Sequence, residues 1–337
     1  MFLRTPLSVL ALAACLSAQT TLPFPDNLPG SGGCNVIPFG NTASSLSTWG
    51  NQKYQTILTA AQIGTIPRVI AEISFPPCGT GTRLFKTIKI QLGYSSSATL
   101  STTFASNLTN PVTVLDATDY AWPQVANQWC RIGLQKDFTY IPTLGNLVID
   151  IEVTGAQLVS GTAGFRSATS PALPRMYKYG WTTPPTTGTS GTSSGIKWEL
   201  LIDAADLSVY GIGCQGSNGV PALAFTGTAQ LNTVFSVDLS GAPASKAAIL
   251  ILGANNLKPL PVDLGIIGAK GCWLYVSLDL LFGVPTDASG NASVRFPIPN
   301  DRSLVRNRVY FQYAPIDATA NNLGLTTSNY GRVLIGY

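Results

Sequence analysis

The sequence predicts an all-β protein made of two tandem antiparallel β-sandwiches of jelly-roll or immunoglobulin-like type, and three observations carry that prediction. Short runs with apolar residues at alternate positions recur along the chain, Arg68–Phe75 and Phe85–Leu92 among them. A period of two turns one row of side chains into a core and the next toward water. Between the runs stand Pro and Gly clusters such as Pro76-Pro77, Gly79-Thr80-Gly81, Asn110-Pro111 and Gly145-Asn146, which punctuate turns. No stretch longer than a couple of turns keeps a helical period.

Taken in order, residues 1–18 read as an export signal. Arg4 supplies the positive end, Leu7–Ala14 an apolar stretch too short to span a bilayer, and Ser17-Ala18 a small-residue cleavage site. Leu12-Ala13-Ala14-Cys15 also matches a lipobox, which makes Cys15 a candidate lipid anchor, although an apolar residue inside an ordinary signal is the favoured reading. Residues 19–33 form a Pro/Gly-rich leader. The first sandwich is assigned to residues 34–206, where Leu147, Ile149, Ile151 and Val153 alternate with Val148, Asp150 and Glu152, giving one apolar face and one largely acidic face. Tyr210–Leu223 then carries Gly211, Gly213, Gly216, Gly219, Cys214 and Pro221, a composition that fits neither a helix interior nor a central strand. It is read as a knot of turns pinned by Cys214. The second sandwich, residues 207–337, offers six strands: Val234–Ser240, Ala247–Gly253, Cys272–Val276, Ala292–Pro297, Arg308–Tyr313 and Gly331–Gly336. Leu278–Val284 and Pro221–Phe225 are candidates for two more, and Asp301 is placed to cap one short helical turn.

At 337 residues the chain is long enough to bury two cores. Only 11% of it is charged, and no apolar run approaches the roughly 18 residues of a membrane span. Its +4 net charge is scattered, without the basic footprint that nucleic-acid binding requires. Histidine is absent, which removes the usual general base and the commonest metal ligand. No cofactor or metal site is indicated.

Export implies an oxidising compartment and makes Cys34, Cys78, Cys130, Cys214 and Cys272 disulfide candidates. No C-x-x-C pair favours zinc. Cys214 and Cys272 are expected to pair in the second sandwich and Cys78 with Cys130 in the first, leaving Cys34 over.

Two aromatic stretches are read as long loops: Asp116–Trp129, with Asp116, Asp119, Tyr120 and Trp122, and Tyr177–Trp181, with Tyr179 and Trp181. Flat aromatics beside carboxylates suit the faces and hydroxyls of sugars, so these six residues form the candidate ligand site. The competing and favoured reading has the loop aromatics capping the sandwich ends, with Trp129 and Trp198 in the core. Asp150 and Glu152, two apart on a strand, stand roughly 7 Å apart on one face, within the range of glycosidase pairs. Such an acid pair on one strand face is more often solvated than catalytic, and no catalytic residue is assigned. Asp116 and Asp119 offer too few oxygens for a calcium cage. Asn107-Leu-Thr and Asn291-Ala-Ser match the glycosylation sequon and are taken to mark exposed turns.

Tyr210-Gly-x-Gly-Cys-x-Gly-Ser-x-Gly-x-Pro-x-Leu223, followed by Leu239-Ser-Gly-Ala-Pro243, Gly268-x-x-Gly-Cys272, Thr286-Asp-Ala-Ser-Gly-Asn-Ala292 and Pro297-Ile-Pro-Asn300, resembles the carboxy-terminal module of a group of exported bacterial two-module β-sandwich proteins with no established activity. Val36-Ile-Pro-Phe-Gly40 and Asn146-Leu-x-Ile-Asp-Ile151 are similar, more loosely, to the front module of that group. The resemblance implies β-structure, export and a Cys214–Cys272 bridge, and carries over no functional residue.

These features rank three functions. The first is a non-catalytic structural or assembly protein of the cell surface or extracellular matrix. The second is a carbohydrate-binding protein that uses the loop aromatics on an extracellular glycan, and the third a polysaccharide hydrolase or lyase. A coplanar exposed aromatic strip would favour the second reading, and facing carboxylates in a deep pocket the third. With neither feature present, a largest exposed apolar patch on a sheet face or edge would favour the first.

Overall fold

The computed structural model describes residues 20–40, 48–159, 161, 164–169, 171–191, 194–202 and 205–336. The export signal, its cleavage site and the lipid-anchor candidate Cys15 lie outside the described residues. Strands dominate, and among the described residues the one α-helix is the four-residue Ala60–Ile63.

In chain order the strands of the amino-terminal half are β1 (Thr20–Phe24), β2 (Gly33–Asn35), β3 (Gln52–Leu58), β4 (Arg68–Phe75), β5 (Gly81–Ser95), β6 (Thr109–Gln124), β7 (Cys130–Arg131), β8 (Phe138–Tyr140), β9 (Asn146–Thr154), β10 (Gln157–Leu158), β11 (Phe165–Ala168), β12 (Arg175–Tyr179), β13 (Thr189–Gly191), β14 (Gly195–Ile196) and β15 (Trp198–Ile202). The carboxy-terminal half contributes β16 (Asp206–Tyr210), β17 (Ala222–Gly227), β18 (Val234–Ser240), β19 (Ala247–Gly253), β20 (Val262–Asp263), β21 (Trp273–Leu274), β22 (Leu280–Pro285), β23 (Ala292–Pro297), β24 (Arg308–Pro315) and β25 (Tyr330–Leu334). All pair antiparallel.

The first half holds a sheet in the order β1-β15-β4-β7 with β8 also on β4, a second in the order β10-β5-β9-β3-β12-β13 with β6 on β5, and a small β14-β11-β2 sheet. The second half holds β16-β25-β24-β19-β22, β17-β18-β23 and the β20-β21 ladder. The change of sheet falls between Ile202 and Asp206, because β15 pairs with β1 and β4 while β16 pairs with β25.

Each half buries its own core. Phe39 sits in the first, fully enclosed, with Phe75, Trp122 and Phe165 rings 4.8–5.1 Å away for three of its contacts. Buried Arg83 donates to the Phe39 and Gly40 carbonyls, so the Val36-Ile-Pro-Phe-Gly40 motif is a plug held from beneath. The second core gathers Leu223, Phe235, Val237, Leu250, Phe311, Tyr313 and Val333. The Tyr210–Leu223 turns are pinned as composition suggested: Ser217 donates through its N–H and hydroxyl to Asp317, and Cys214 is bonded to Cys272.

Several expectations are corrected. Asp116–Gln124 is no loop, since β6 runs through Gln124 along its neighbour β5, and the turn is confined to residues 125–129. Pro111 and Pro123 are tolerated because β6 is an edge strand that needs donors on one side only. The Cys78–Cys130 pairing is replaced by Cys34–Cys78. β11 causes this: Cys34 lies opposite Arg166 in β2, and the Cys78 N–H donates to the Gly164 carbonyl, so one strand gathers both cysteines. Cys130 is instead held in the β4–β7 ladder opposite Phe75 and remains a free thiol. Asn107 is buried rather than exposed, its amide donating to Gln55 and to the Ser101 carbonyl. Trp198 is core as expected, whereas Trp129 is only half-buried and donates to Asn27.

Candidate functional site

The six candidate ligand residues do not form one surface. Trp122, only 1% exposed, donates its indole N–H to the Arg131 carbonyl and stacks on Phe165, with centroids 5.3 Å apart. Tyr120 is buried too, its hydroxyl donating to the Ile132 carbonyl. Alternation along β6 explains both, because Tyr120 and Trp122 share the inward face. Trp181 is likewise buried, while Tyr179 is 40% exposed and packs on Trp49, with centroids 4.3 Å apart. Asp116 pairs with Lys258 at 2.6 Å and Asp119 with Lys86 at 3.4 Å, so the two acids serve different partners. Among the described residues no group of three or more His, Cys, Asp or Glu is arranged to hold a metal ion.

Asp150 and Glu152 do not face each other across a groove. Asp150 is buried beneath the Phe104–Asn107 turn, takes a 2.6 Å hydrogen bond from Gln55 and lies 3.9 Å from Lys53. Burial pushes its carboxyl up, against the opposing pull of Lys53 and Gln55. Glu152 is bound to Lys53 at 2.7 Å. Both carboxylates are therefore engaged by a single strand neighbour.

What sequence reasoning missed is a buried polar seam between the halves. Arg332 of β25, 1% exposed, bonds Glu72 of β4 at 2.8 Å, the Leu134 carbonyl at 2.9 Å and Asp206 of β16 at 3.1 Å. Glu72 also accepts from the N–H groups of Ile73, Gly133 and Leu134 and from the Tyr210 hydroxyl at 2.7 Å. Arg131 joins Asp206 and Ser208, and Arg308 joins Asp137. Burial works against the Arg332 charge, but Tyr210, Glu72 and Asp206 hold its basicity above the ordinary value. Burial likewise pushes Tyr210 and Tyr120 well above the usual tyrosine range and Tyr275 up to about 12. These phenols stay protonated, and Glu72 has its oxygens filled by donors. The cluster is built to bind two halves together rather than to move protons. Its sequence signal was single charged residues such as Glu72 in β4 and Arg332 in β25, set within apolar strands, which is too common to single out.

At the opposite edge of its sheet from β16, β22 has β19 on one side and no ladder partner on the other among the described residues. Leu280, Leu281 and Phe282 are consecutive and exposed, with Leu278 just before them; Leu281 is 59% exposed. Consecutive exposure on a strand means that neither face is fully covered, although the Phe282 ring meets Phe296 with centroids 6.3 Å apart.

No family model, curated protein or solved structure matches the chain.

Proposed function

We propose that this is an exported, non-catalytic assembly protein of the cell surface or extracellular matrix, and that it joins its partners through the outer edge of β22. The observation that carries the reading is the exposed apolar run Leu280–Phe282, which follows Asp279 and lies in a strand paired on one side only among the described residues. Edge strands are ordinarily blunted by charge, bulges or cover. Leu280, Leu281, Phe282 and Gly283 carry none of the charge, so the edge is a template for strand addition, with main-chain hydrogen bonds for affinity and alternate apolar side chains for fit. Two disulfides support an oxidising compartment. The buried polar seam supports a stiff two-part body, which suits a building block.

Sedimentation velocity on residues 19–337 tests this. The wild type is expected to associate with rising concentration, and Leu281→Lys to stay monomeric with unchanged circular dichroism. A wild type that remains monomeric throughout, and binds cell-surface fractions no better than Leu281→Lys does, refutes the reading.

A further inference from the structure

Along one side of the seam a cleft of about 230 Å3 opens between the β5–β6 ribbon of the first half and the β20–β21 hairpin of the second. One wall is aromatic, formed by Trp273 and Tyr275; the facing wall carries Lys86 and Asp119, with Gln157 beside them.

The aromatic wall is rigid. The Trp273 backbone N–H donates to the Thr327 hydroxyl at 3.3 Å, its backbone carbonyl accepts from Gln312 at 2.8 Å, and the adjacent Cys272 is bonded to Cys214. The Tyr275 hydroxyl donates to the Ile212 carbonyl and accepts the Ile212 N–H. Its ring lies so close under Gly211 that a Cβ there would sit 2.8 Å from it, which requires glycine at that turn. The indole of Trp273 itself stays half-exposed.

The polar wall is distinctive in a different way. Lys86 and Asp119 pair at 3.4 Å with both side chains largely in water. Pairing between the strands runs from Phe85 with Tyr120 to Thr87 with Thr118, and between these Asp119 has a φ of 49°. Left-handed backbone inside a strand is a local strain of the kind that gathers at ligand contacts, and aspartate is among the few residues that tolerate it.

The chemistry of the two walls selects a ligand class. The charges of Lys86 and Asp119 cancel within the pair, so the cleft has no field favouring a phosphate or a carboxylate. The Asp119 carboxylate accepts from one hydroxyl and the Lys86 ammonium beside it donates to the next, while a fixed indole face packs on C–H groups. The volume is below the roughly 300–1,000 Å3 of sites for larger ligands. We infer that this cleft binds one neutral pyranose ring, stacked on Trp273 with its hydroxyls on Asp119 and Lys86. The site is independent of the β22 edge, and either can fail without the other.

Glucose, galactose, mannose and N-acetylglucosamine, titrated singly into the full mature protein and followed by NMR of the tryptophan indole N–H signals, test the inference. At least one is expected to bind saturably, with a Kd of about 1 mM or tighter, and to shift the Trp273 signal. Trp273→Ala and the exposed Asp119→Asn should each weaken that binding about tenfold, while Tyr179→Ala leaves it unchanged and glucuronate binds no tighter than glucose. No saturable binding of any of the four sugars overturns the inference. So does binding that survives in both Trp273→Ala and Asp119→Asn, or that is lost only in Tyr179→Ala.

Discussion

Asp150 shows how a single residue changes meaning between sequence and structure. Alternation places it on the polar face of β9, and there the pattern stops being informative, because it cannot say that the Phe104–Asn107 turn folds down over that face. Burial is the largest influence on its carboxyl and raises it above the ordinary range. The native protein therefore holds this proton to higher pH than the unfolded chain does, so this group's contribution to stability falls as pH rises from the ordinary aspartate value through the raised native one. Glu199, raised by burial as well, adds in the same direction. Asp150→Asn keeps an acceptor for Gln55 and gives up only the 3.9 Å approach of Lys53. Urea midpoints for the variant at pH 7 should equal or exceed those of the wild type, and the profile between about pH 4 and pH 7 should be flatter. A variant that is less stable by more than about 1 kcal/mol would show that the charged pair outweighs the desolvation.

Among the elements, legibility follows what each strand packs against. β4, β18, β19 and β23 have the bounds that the sequence predicts, since each has one wet and one dry face or lies centrally in a sheet. β6 was hidden by its own edge position, because Pro111, Pro123 and two acids look like turn chemistry wherever only one side of a strand must donate. The cysteines illustrate the same limit. Cys214–Cys272 lies within a stretch whose turns are local, whereas Cys34–Cys78 depends on β11, which arrives some ninety residues after Cys78 and could not be placed from spacing. Proteolytic mapping should recover peptides linking Cys34 to Cys78 and Cys214 to Cys272, with Cys130 alkylated only after denaturation, since burial raises its thiol. A Cys78–Cys130 peptide would contradict the arrangement. Removing the second bridge as Cys214→Ser with Cys272→Ser opens a loop of 58 positions and should cost about 4 kcal/mol.

For the molecule as a whole, the decisive feature is that its halves meet through charge. Separate apolar cores on either side of Ile202–Asp206 would allow independent unfolding, yet Arg332, Glu72 and Asp206 are all but sealed from water where the halves join. Leaving one such charge without its partner costs about 3–5 kcal/mol, while the intact network contributes little net stability and chiefly fixes which surfaces fit. Arg332→Met removes the cation and strands Glu72 among its remaining donors, so the penalty should fall on the contact between halves rather than on either core. The tryptophans make this visible, because Trp49, Trp122, Trp129, Trp181 and Trp198 precede the junction and only Trp273 follows it. In the wild type, fluorescence and circular dichroism should report one coincident denaturant transition. In Arg332→Met the two probes should separate, with a total loss of about 3–5 kcal/mol. Coincident transitions with a loss under about 1 kcal/mol would mean that the seam is incidental, and that the stiffness required of a building block must come from elsewhere.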